Sequence, residues 1–174
     1  MRPSQLVRGR MFPLALLLAF AGVAEAQRPV PASRPVPASP GQQLLRQYAG
    51  SDDTDALLRH AEVRTRLQRL LGAELEHLEA NLNVRGSVDV ISGELSLSGN
   101  APHMGTEEEA VVCIAIYNME VRAAIFSQGV VTVYSRDGNY DYLPRCIKDW
   151  ITVVNSAAAD RLTQPKNVRM AGGK

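Results

Sequence analysis

The sequence predicts an α+β domain, and three successive patterns predict it. Apolar residues recur at helical spacing between residues 42 and 82, turn to strand patterns from Val84 to Tyr134, first alternating with period two and then in apolar runs, and return to helical spacing after Pro144. The expected architecture is N-terminal helices, an antiparallel sheet of about five strands, and a C-terminal helix packed on the sheet.

The chain opens with Arg2, Arg8 and Arg10, followed by the apolar run Met11 to Val23 and the small-residue pattern Ala24-Glu25-Ala26. That order of parts predicts a signal peptide over residues 1–26, cut after Ala26. The run has 13 residues, short of the roughly 20 a helix needs to cross a bilayer. No membrane span is therefore expected, and the destination is the periplasm or the outside. No cysteine precedes Cys113, which excludes a lipid-bearing cysteine at the new N-terminus. Residues 27–41 carry Arg-Pro-Val-Pro-Ala-Ser twice in succession, a composition that favours extended polyproline II and predicts a linker. The folded domain is expected over residues 42–163, with a polar, flexible tail over 164–174.

Within the domain, Leu44, Leu45 and Tyr48 share one face of a short first helix. The cluster Ser51-Asp52-Asp53-Thr54-Asp55 supplies capping oxygens and negative charge for a second helix, expected to run to about Leu71. Gly72 interrupts it, and Leu75, Leu78 and Leu82 resume the pattern. Val88 and Val90, then Leu95 and Leu97, predict a hairpin around Ile91-Ser92-Gly93. Ala110 to Ile116 is continuously apolar, as a strand covered on both faces requires. Val121 to Phe126 and Val130 to Tyr134 follow, split by the Gln128-Gly129 turn; such short connections predict an antiparallel meander. Pro144 suits a helix start, and Ile147, Trp150, Ile151 and Val154 form that helix's apolar stripe.

Without residues 1–26 the chain keeps 16 basic and 17 acidic side chains among 148 residues. That balance gives no footprint for nucleic acid or anionic lipid. Cys113 and Cys146 are the only cysteines; in an oxidising compartment they would form a disulfide, the alternative being two buried thiols. His60 and His77 lie on helices among Arg and Glu and read as solvated or packed side chains. His103 differs, standing in the loop Gly99-Asn100-Ala101-Pro102-His103-Met104-Gly105-Thr106, where the proline fixes its own φ and restricts Ala101. Glu107, Glu108 and Glu109 read as a solvated run, so no metal site is expected. No cofactor motif, nucleophile with its base, or paired catalytic carboxylates is evident. A binding domain is expected, not an enzyme.

At this loop a resemblance emerges. With Ser98-Gly99 before it, Ala123-Ala124-Ile125 and Leu143-Pro144 after it, the segment from about Leu67 to Ile151 resembles the family of periplasmic inhibitors of vertebrate lysozyme. That family's protruding loop reads Cys-Lys-Pro-His-Asp-Cys; here Pro102 and His103 match, while Asn100 and Gly105 stand where the two loop cysteines would be. The resemblance implies that residues Gly99, Asn100, Ala101, Pro102, His103, Met104 and Gly105 form an inhibitory loop that enters the cleft of a lysozyme or other muramidase. It implies that the His103 imidazole meets the enzyme's two carboxyl groups, with Pro102 shaping the turn and Gly99 and Gly105 permitting it. Carboxyl groups about 5 to 5.5 Å apart in a retaining glycosidase lie within reach of one ring with two nitrogens. The other reading of the same residues is a non-inhibitory exported module of this fold, binding another protein by its sheet edge or linker.

Overall fold

The computed structural model describes residues 37–155 and 164–172. The expected signal peptide and most of the expected linker lie outside the described residues. Helix α1 (Pro40–Tyr48) starts two residues before the expected domain boundary at 42, because the local sequence is a complete start signal. Ser39 Oγ accepts the Gln42 N–H at 3.3 Å, Gln42 Oε1 accepts the Ser39 N–H at 2.9 Å, and Pro40 holds the first helical position. The second expected helix is in fact two, α2 (Thr54–Arg59) and α3 (Ala61–Leu71), broken at His60 with ψ 126°. The break resets the helical phase: at 3.6 residues per turn an unbroken helix would turn Val63 about 120° away from Leu57. Both side chains are buried, at 0% and 1% exposure. Gly72, at φ 58°, ends α3; one 3₁₀ turn leads into α4 (Leu75–Asn81).

The strands are β1 (Val84–Arg85), β2 (Asp89–Ile91), β3 (Glu94–Asn100), β4 (Glu108–Ala115), β5 (Val121–Ser127), β6 (Val130–Tyr134) and β7 (Val168–Ala171). They form one sheet in the order β1-β3-β4-β5-β6-β7, with β2 also paired to β3. Two hairpins close on two-residue turns with both residues at positive φ, Ser92-Gly93 at 50° and 83° and Gln128-Gly129 at 50° and 77°, the twist that suits adjacent antiparallel strands.

Three expectations change here. The sheet has seven strands among the described residues instead of about five. The tail expected to be flexible contains β7, and β7 runs parallel to β6, from Val131 opposite Val168 to Tyr134 opposite Ala171. The argument from short connections holds for neighbouring strands, but the link from β6 to β7 contains a helix, long enough for a parallel return. Val168, 4% exposed, is the apolar anchor that the polar surroundings of 164–174 obscured.

The sheet is covered on both faces. Leu95, Leu97, Ala110, Val112, Ile114, Ala123 and Ile125 pack against α1 to α4. Val111, Cys113, Ala124, Phe126, Val131 and Val133 pack on the other side against α5 (Arg145–Val154), through Cys146, Ile147, Trp150 and Ile151. The unbroken apolar run of β4 follows directly: its alternate residues belong to different cores. Cys113 and Cys146 are disulfide-bonded, joining β4 to α5 with Cα atoms 6.2 Å apart. Closing a span of 33 residues contributes about 4 kcal/mol in the chain-entropy account.

Candidate functional site

The connection between β3 and β4, residues 101–107, carries the Pro102-His103 pair. Ala101 N–H donates to Glu108 O at 2.9 Å, extending the ladder by one step, and there the strands part. Met104 N–H donates to Ala101 O at 3.1 Å, closing a four-residue turn with Pro102 and His103 at its centre. Proline fixes a negative φ at the first central position and His103 has φ 64°, the combination of a type II turn. Histidine visits this left-handed region more readily than most side chains. A second turn follows, in which Met104 O accepts the N–H groups of Glu107 (3.1 Å) and Glu108 (2.9 Å). Thr106 sits there at φ 74°, an outlier for a β-branched residue, costing about 1–3 kcal/mol. Its N–H donates to Glu109 Oε1 at 2.8 Å, which holds the strained residue in place.

The residues from Pro102 to Glu107 are exposed. The His103 ring makes no hydrogen bond or ion pair with any described residue. Of the residues expected in the loop, Gly99 and Asn100 instead end β3, and Ala101 is half-buried at the hinge. The expected role of the two glycines also changes. Neither Gly99 nor Gly105 has a positive φ; the left-handed positions are His103 and Thr106 themselves. Gly99 is needed for close approach, since a Cβ there would lie 2.5 Å from Val84 O and 2.9 Å from Arg85 Cβ. A Cβ at Gly105 would face the Asn100 side chain at 3.8 Å and nothing nearer. Asn100 Nδ2 donates to Ala101 O at 2.7 Å, so this side chain lies across the loop's neck.

Below the loop is an anchor that the sequence reading missed. Glu108, the first residue of β4, accepts Ser127 Oγ–H (2.5 Å) on Oε1, and Asn81 Nδ2–H (3.0 Å) on Oε2, which also pairs with His77 Nε2 (3.1 Å). Asn81, 2% exposed, also donates towards Glu109 O and Phe126 O. Burial pushes the Glu108 carboxyl up, but the bonds from Ser127, Asn81 and His77 outweigh it and hold the group below its ordinary range. His77 Nδ1 lies 3.5 Å from Glu74 Oε2, so the ring spans two carboxylates. These partners are 19 to 31 residues from Glu108 in the chain, and no local motif signals them. Two of the three consecutive glutamates are thus structural; only Glu107 is fully solvated.

At the opposite end of β3, Glu94 and Arg122 form a pair buried beneath the sheet, Nη1 to Oε1 3.3 Å, with Arg122 also 2.9 Å from Glu120. Burial raises the Glu94 carboxyl above its ordinary value, offset in part by Arg122 and reinforced by Glu120. Glu94, Cys113 and Cys146 come within 4.8 Å of one another, but the sulfurs are bonded to each other and offer no thiolate. Among the described residues, no helix is long and apolar enough to cross a membrane.

Residues 62–157 match the family described as inhibitor of vertebrate lysozyme (Ivy). No curated protein and no solved structure matches the chain. The matched segment runs from the start of α3 to the end of α5 and contains the Pro102-His103 loop, its Glu108 anchor and the disulfide. The chain therefore belongs to the inhibitor of vertebrate lysozyme (Ivy) family, a family of proteinaceous inhibitors and not of enzymes.

Proposed function

We propose that this protein is an exported, periplasmic or secreted inhibitor of a lysozyme-type peptidoglycan glycosidase, and that the loop between β3 and β4 closes the enzyme's cleft with His103 as the plug. The observation that carries the reading is the exposed His103 ring at φ 64° on a proline turn, with no partner among the described residues. A ring held there presents two nitrogens to the paired carboxyl groups of a retaining glycosidase; protonated, it donates to both. Without a loop disulfide, ordering comes from five groups of contacts: the turn bonds at Met104, the Asn100 side chain, the Thr106 to Glu109 bond, the Glu108 anchor, and the fixed φ of Pro102. Each lowers the entropy lost when the loop is enclosed by a partner.

The deciding experiment titrates the mature protein against a panel of purified muramidases, alongside His103→Ala. Inhibition lost in the variant at an unchanged melting temperature is the expected result. Full inhibition by His103→Ala would exclude the plug.

A further inference from the structure

The loop cannot be the whole interface. Stable protein interfaces engage about 20–30 residues a side, and the connection between β3 and β4 supplies seven. A cleft that encloses these seven must set its lip on the ground beside them, and one side of that ground is already concave, with a tryptophan and two valines among polar neighbours. A cleft of about 320 Å³ opens beside the loop's neck. Asn100 and Glu109, the pair that flanks the loop, form one wall. Trp150, from α5, contributes to the floor, and Val84 and Val153 stand at the sides, 50% and 72% exposed.

The cleft is built on fixed elements. Arg85 holds β1 in position, donating from Nε to Thr54 Oγ1 at 2.7 Å, from Nη1 to Leu82 O, and pairing with Asp55. β1 in turn can approach β3 so closely only because residue 99 is glycine. α5, which carries Trp150 and Val153, is tied to β4 by the disulfide. Two exposed valines beside a tryptophan would be solvated at a cost in isolation, and their place next to the loop gives them an occupant.

We infer that the cleft between Val84 and Val153 is the second contact of this inhibitor, receiving an apolar side chain from the lip of the same glycosidase cleft that takes His103. The inference rests on the inhibitory reading of the loop and specifies where the partner's lip lies.

The test uses Val153→Lys, a change that suits the last turn of a helix, and Val153→Gln as a second variant. Both are measured for inhibition of the most sensitive muramidase, beside His103→Ala and with melting temperature and molecular mass in solution. Removing one buried valine contact is expected to weaken inhibition about tenfold, with His103→Ala weakening it further and melting unchanged. If both Val153 variants inhibit like the parent while His103→Ala does not, the second contact is wrong and the loop reading stands. If none of the three changes inhibition, both fall. If the parent is a dimer that Val153→Lys dissociates with inhibition intact, the cleft belongs to a second copy of this chain and the inference is overturned.

Discussion

Asn100 and Gly105 face each other across the neck of the loop, and replacing both by cysteine is expected to close it covalently. A Cβ on residue 105 would stand 3.8 Å from Asn100 Cγ, with no nearer atom to obstruct it. Residue 105 also lies outside the left-handed region, so a side chain there carries no backbone strain. Bridging residues five apart contributes about 2 kcal/mol by the chain-entropy relation. The Asn100 to Ala101 bond is lost, which subtracts about 1 kcal/mol. The net gain of about 1 kcal/mol corresponds to a rise of about 3 °C in melting temperature for a domain of this size. Asn100→Ser with Gly105→Ser is the matched control. Thiol titration under denaturing conditions after mild oxidation shows whether the bridge formed, and calorimetry gives the shift. Inhibition should tighten, because less of the loop's freedom remains to be lost. Two free thiols after oxidation, or an oxidised form that melts below the serine control, would show that the neck is not as narrow as described.

Glu108→Gln removes a charge held by three donors. Because its folded-state carboxyl is depressed, the stabilisation is full above its ordinary value near 4.5 and fades as pH falls below it. Denaturant titrations should show a loss of about 1–2 kcal/mol at pH 7 and none near pH 3. Arg122→Met leaves the raised Glu94 carboxyl buried without its guanidinium and should cost about 3–5 kcal/mol at pH 7. Glu94 has the opposite sign: its protonated form is favoured in the fold, so the deficit of that variant should shrink as the pH falls towards 4.5, as urea unfolding at several pH values will reveal. Gly41→Ala drives a Cβ to 1.8 Å from Ile116 O; α1 must lift away, and hydrogen exchange across residues 40–48 should accelerate by at least tenfold.

Much of the fold was legible because its signals are local. The helical spacing before residue 82, the period-two alternation after it and the two-sided apolar run of β4 each reflect one element and the faces it buries. What the sequence does not display is non-local or a matter of helical phase. The split at His60 follows from where Leu57 and Val63 must both point, which requires knowing the sheet they cover. β7 is not legible because four residues beside a polar, Gly-containing end carry little pattern of their own, and their partner lies more than thirty residues away. At the loop, the Pro-His pair was visible, but what sets its shape was not. The glycines expected to permit the turn serve other purposes, and the positive φ values fall on a histidine and a threonine. The Glu108 anchor has no sequence signature, since its partners come from α4 and β5.

The parallel pairing of β7 with β6 has a consequence for the order in which the molecule assembles. Synthesis delivers the loop, its anchor and the first six strands before residues 168–171 emerge. Until then β6, reading Val-Val-Thr-Val-Tyr, is an open, β-branched edge with its hydrogen-bonding groups unclaimed, a template for pairing with other chains. A chain that stopped before Val168 would therefore keep the Pro-His loop intact but leave the far margin of the sheet adhesive. The last strand serves as a guard rail against self-association rather than as part of the machinery that meets a partner.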